Sequence, residues 1–234
     1  MNFPPIDSIN QFTYMPIPLW CNNDDCPKAH TSHHLHRTCK GVNIQRERTY
    51  ASVGLGEYVR DPDTIVHYDP EFDTFTYGNS IKKSRISALK NLEKGDFIAF
   101  FASFQKNISP YDSQFYFIGF FEFKQVYDPN ILEDFSEIAN NDHIRCDNYT
   151  NEYRIWKGSK KSMLFKHGVP FDRTLAINII RDIKFDTVNK NGEPRSDFTV
   201  INSKTRAVRQ ISFPQTKYFW EAVKKHNPDC WIND

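Results

Sequence analysis

The sequence predicts an α+β fold, a single domain over residues 1–234 built mostly of antiparallel sheet or a small barrel, with a few short helices. Three observations carry this. The runs "GDFIAFFASFQ" and "FYFIGFFEFKQVYD" are apolar and aromatic almost without interruption, as strands buried on both faces are. The chain holds 20 Phe and 11 Tyr, residues that favour a pleated, half-buried surface. Helical periodicity occurs only in short stretches.

In chain order, "INQFTYMPIP" alternates apolar and polar residues and reads as a short strand ending in prolines. Residues 21–39, a Cys/His-rich stretch, read as an insertion. "SVGLGEYV" lacks the third glycine of a dinucleotide fingerprint and reads as a turn. "DTIVHYDP" is a strand ending at Asp69-Pro70, and "KKSRISALKNL" a short helix. The paired aromatic strands follow, joined by "KNISPYDSQ". "ILEDFSEIAN" shows a helical period at 131, 132, 135 and 138. "YRIWKGSKKSMLFKHGVPFD" is a strand, a basic turn and a strand, and "AINIIRDIKFD" an apolar element of either type. "FTVIN" and "AVRQISF" read as a hairpin. "TKYFWEAVKKH" is an amphipathic helix with Thr216 as its cap.

Composition excludes some classes. No apolar run approaches the roughly 20 residues of a membrane span, and the start has no secretory pattern, so a cytoplasmic protein with no membrane partner is expected. Five cysteines, three of them clustered, do not make a secreted disulfide framework. The net charge of +1 hides an asymmetry: residues 1–152 hold 14 Lys and Arg against 21 Asp and Glu, the remainder 16 against 8. A basic half meets phosphates through counterion release, or merely neutralises the acidic half.

His67, Asp69 and Glu71 alternate at a strand end, which would set all three on one face. A histidine with two carboxylates suits a divalent metal or proton transfer, and they are the candidate catalytic residues. The competing reading is turn chemistry at Asp-Pro with a solvated Glu71. Tyr77-Gly78 offers a flat face with accessible backbone to a base, or a core aromatic before a turn. Asp96 is expected to close the turn into the buried strand. The turn "KGSKKS" combines charge, hydroxyls and glycine as a phosphate site does, and makes Lys157, Ser159, Lys161 and Ser162 candidate ligand-binding residues. A solvated turn is the plain alternative. His143 in "NDHIR" joins the candidates, against a capping role. Arg206, Arg209 and Trp220 are weaker nucleic-acid candidates. Cys21, Cys26, His30 and Cys39 form a candidate structural zinc site of loose spacing. A polar loop with incidental histidines is the weightier reading there.

The block from "DTIVHYDPEF" through "FTYGNS" to "LEKGDFIAFF" resembles the third type of nucleotide-modification-associated domain, known from archaea, bacteria and phages. The matching motifs are Phe12 to Pro18, His67 to Phe72, Thr76 to Gly78, and Leu92 with Gly95 and Asp96. "NNDHIRCD" is similar to the family's "NAH" turn, and "WKGSKKSMLFKHGVPF" to its basic strand pair. The resemblance covers roughly residues 10–172. Two departures stand out: an apolar edge strand ahead of "YMPIP" is expected to be missing, and the Cys/His stretch is extra. The resemblance implies a link to modified DNA bases or nucleotides, without a settled reaction, and favours a functional role for His67 and Asp69. The aromatic strand pair also resembles the core of PUA-like domains, which hold a base in a pocket. The expected function is binding of a modified base or nucleotide, with modified nucleotide or DNA as partner. The alternative is an enzyme that makes or processes one.

Overall fold

The computed structural model describes residues 6–18, 48–82, 84–105, 113–145, 151–180, 188–205 and 208–230. The Cys21–Cys39 stretch, with its zinc expectation, and Arg206 lie outside them. In chain order the strands are β1 (Ile17–Pro18), β2 (Arg48–Thr49), β3 (Ile65–His67), β4 (Thr76–Ser80), β5 (Phe97–Gln105), β6 (Ser113–Tyr127), β7 (Tyr153–Gly158) and β8 (Met163–Pro170). The helices are α1 (Asp142–Arg145), α2 (Arg173–Ile179), α3 (Asp197–Lys204) and α4 (Phe213–His226). The fold is α+β. Every pairing among the described strands is antiparallel, and these strands close no barrel. No helix among the described residues is long and apolar enough to cross a membrane.

The chain forms two compact units. The first comprises residues 1–14, 83–122 and 162–234. Here β6 pairs with β5 on one side and β8 on the other, and Phe115 to Phe121 are buried without a break. Consecutive residues of a strand point to opposite faces, so both faces of β6 are covered here, which is why the sequence shows continuous rather than alternating apolar residues. The core joins Phe117, Phe165, Phe171, Ile179, Ile201 and Phe219, drawn from β6, β8, the turn after β8 and the three helices that follow. As expected, Asp96 closes the turn into β5: its carboxylate accepts the Glu93 N–H at 2.9 Å.

Three expectations in this unit give way. Residues 198–202, read as a strand, lie in α3, because Ser196 caps the helix and Val200 and Ile201 bury together. The cap of α4 is Ser212, not Thr216. The Gln215 side chain accepts the Ser212 N–H at 3.2 Å, and Pro214 fits the first turn. Thr216 instead donates to the Phe213 carbonyl within that turn. The stretch 84–91 forms 3₁₀ turns rather than an α-helix.

The second unit comprises residues 15–82 and 123–161. It holds the three-stranded sheet β1-β3-β2 and the β4-β7 pair, with the last residues of β6 against β7. Residues 9–18 yield only the two-residue β1 plus isolated bridges, not the longer strand expected. The apolar period over 131–138 forms no helix, and it is buried only in part, since Ile131 is exposed. Leu132, Phe135 and Ile138 pack with Ile144 and Ile155, yet Asp128 and Asp134 accept the N–H groups of Asn130 and Ser136. Such local carboxylate bonds replace the helical ladder with turns.

Candidate functional site

The site is built within the second unit from three segments: the end of β3, the strand β4, and the turn entering α1. His67 is the last residue of β3, and the Asp69–Pro70 peptide that follows is cis. Gly78 sits in β4, where alternation turns Thr76, Gly78 and Ser80 to the buried face. Asn141 and His143 come from the turn and α1.

These segments bring His67, Asp69 and His143 together, with one ligand atom of each within 4.8 Å of the others. The Asp69 Oδ2 lies 3.6 Å from His143 Nε2 and 3.9 Å from His67 Nε2. The two imidazoles meet edge to face, centroids 4.6 Å apart, and the Tyr153 ring is tilted against His143 at 4.6 Å. The side chains of Asp69 and His143 are 3% and 9% exposed, that of His67 22%, so the cluster is approached past His67.

The other carboxylate oxygen is held by the scaffold. The Gly78 N–H donates to both oxygens of Asp69, at 3.0 Å to Oδ1 and 3.2 Å to Oδ2, and the Asn141 carboxamide donates to Oδ1 at 3.2 Å. Asn141 is fully buried and ties the site together: its Nδ2 also donates to Thr76 Oγ1 at 3.2 Å, and its Oδ1 accepts the His143 N–H at 3.1 Å. Gly78 is needed for space. A Cβ there would stand 2.4 Å from His143 Cδ2 and 3.0 Å from Asn141 Oδ1.

Beside the cluster, burial raises the Asp142 carboxyl to about 6, against the Tyr68 N–H it accepts and the Arg48 guanidinium 4.0 Å away. Arg48 also lies over the Tyr68 ring, 5.0 Å from its centroid.

Two imidazoles and one carboxylate can hold a divalent metal, and a His–Asp pair can move a proton. A family model described as nucleotide modification associated domain 3 matches residues 3–221. The chain belongs to this family. No curated protein and no solved structure matches it. The domain's description associates it with nucleotide modification.

Placed in this nucleotide modification associated domain, the expected site residues divide. His67 and Asp69 converge, and His143, expected only as a ligand-binding residue, joins them. Glu71 does not. β3 ends at His67, so the alternation assumed through residue 71 stops, and Glu71 turns into its own loop. It is fully buried, accepts the N–H groups of Asp73 and Thr74 at 2.5 and 2.8 Å, and the hydroxyls of Thr74 and Thr76. Glu71 therefore holds Thr76, which holds Asn141, which holds Asp69. Replacing Glu71 with Ala strands these buried donors and is expected to cost at least about 2 kcal/mol, read as a lowered urea midpoint at unchanged slope.

Tyr77 faces away from Gly78 on β4. Its ring tilts against Trp156 at 6.0 Å, its hydroxyl accepts from Asn79 at 2.6 Å, and burial and the Asp69 charge push it up to about 12. Lys157 sits opposite Thr76 in the β4–β7 pair, donates to the Thr74 carbonyl at 2.6 Å, and is lowered by burial. Ser159 accepts the Lys161 N–H within the basic turn, and Lys161 is exposed. In the first unit, Ser162 is buried and accepts the Glu122 N–H at 3.0 Å. Arg209 donates to the Lys204 carbonyl, and Trp220 packs on Phe97, Phe120 and Phe219. Asn141 went unnoticed in the sequence. The signal for it lay in "NNDHIR", the same stretch that holds His143.

Proposed function

We propose that this protein is an enzyme that makes or processes a modified base or nucleotide, with His67, Asp69 and His143 as its reactive centre. The observation that carries the reading is the convergence of two imidazoles on one oxygen of a buried carboxylate whose other oxygen is fixed. Reactive groups held this way by surrounding donors are what catalysis by positioned side chains requires. The family's association with nucleotide modification supplies the substrate class. Pure recognition of a modified base has less support, since Tyr77, the aromatic expected to stack on it, packs against Trp156.

The test is mass spectrometry of free nucleotides and of plain and modified DNA after incubation with the protein. Conversion of one nucleotide or base is expected, falling about 10²–10⁴-fold in Asp69→Asn. Retained binding of modified DNA with no chemical change in any substrate would overturn the enzyme reading in favour of a reader.

A further inference from the structure

We infer that His67, Asp69 and His143 bind a single divalent transition-metal ion and leave further coordination positions open to water or substrate. The inference deepens the enzyme reading above, by naming what its centre would use, but metal binding is measurable without a substrate.

Distance is the first argument. At 3.6 and 3.9 Å the two Nε2–Oδ2 separations exceed a hydrogen bond, which ends near about 3.2 Å. They approach the about 3.3 Å edge expected between ligands that each lie about 2.0–2.1 Å from a tetrahedral ion. A small inward movement of His67, the most exposed of the three, would complete the fit.

The surroundings are the second argument. Metal-ligating groups are held by outer hydrogen bonds that aim one atom inward. Asp69 shows that pattern: Asn141 donates to Oδ1, the Gly78 N–H is shared between Oδ1 and Oδ2, and Oδ2 also faces both imidazoles. Asn141 also fixes the backbone of His143. A carboxylate oxygen and two imidazole nitrogens are donor atoms that a divalent cation takes together.

The donor set limits the ion. Two nitrogens and one carboxylate suit iron, manganese, cobalt, nickel or zinc, and suit magnesium and calcium poorly, since those ions take oxygen ligands. Three protein ligands among the described residues leave one open position in a tetrahedral site and three in an octahedral one.

Cobalt(II) is the probe, because its visible bands report coordination. The background is full-length protein carrying Cys21→Ser, Cys26→Ser and Cys39→Ser, so that the cysteine-rich stretch contributes no thiolate. One equivalent of cobalt is expected to bind with visible d–d absorption and no thiolate charge-transfer band. Asp69→Asn and His143→Ala should each lose most of that binding. His67→Ala, the change least able to disturb the core, should do the same with an unchanged thermal melt. Asn141→Ala should weaken affinity about 10–100-fold. Absence of cobalt and zinc binding by the folded background protein would overturn the inference, and so would binding indifferent to His67→Ala and Asp69→Asn. Nucleotide turnover without metal would sink this inference and leave the enzyme reading standing. Metal binding without turnover on any substrate would do the reverse.

Discussion

Gly78→Ala is expected to lower stability by about 1–3 kcal/mol and to take metal affinity and turnover with it. The added methyl would stand 2.4 Å from the His143 ring and 3.0 Å from Ile155 Cδ1. The ring's retreat is restricted, since the His67 and Tyr153 rings both lie 4.6 Å from it, centroid to centroid. Either His143 leaves its position beside Asp69 or β4 shifts and carries the Gly78 N–H away from the carboxylate. Both outcomes undo the cluster. A urea titration and a cobalt titration of the same sample read the two effects. An unchanged midpoint together with unchanged cobalt affinity would contradict the close packing on which the site is built.

Phe219→Ala is expected to cost about 3–5 kcal/mol, the range for emptying a large aromatic from a packed core. Phe219 is fully buried on α4, and its ring meets Phe97 at 5.2 Å, Phe117 at 5.1 Å and Trp220 at 4.8 Å. None of the three candidate ligands belongs to this core, so cobalt affinity of the folded fraction should persist. Chemical denaturation measures the loss. A change below about 1 kcal/mol would mean that α4 does not seal the β5–β6–β8 layer as described.

These two positions differ in how far they could be read from the chain. Phe219 lies in "TKYFWEAVKKH", whose apolar period marks a buried helix face wherever the helix docks. Gly78 lies in "TYG", where nothing local says that an imidazole 65 residues later will rest against its Cα. The same contrast runs through the fold. β6 was legible because continuous burial leaves an unbroken aromatic record; β5 carries the same aromatic run as its partner but is mostly half-buried, with Ile98 and Phe104 turned fully inward. α3 was not, because β-branched residues suit a strand as well as a helix and the cap at Ser196 decided between them.

By itself, the sequence determined the α+β class, the central aromatic strand pair, the turn at Asp96, the family, and two of the three groups in the cluster, His67 and Asp69. All of these rest on local chemistry or on a pattern carried within a few tens of residues. Only the tertiary structure decided that β3 stops at His67, so that Glu71 turns inward to hold its loop instead of joining the site. It also decided that His143 completes the cluster and that Asn141 orients the carboxylate. Asp69 and Asn141 stand 72 residues apart. Their contact depends on the closing of that span, and no side-chain period or turn preference within either segment encodes which distant partner it will meet.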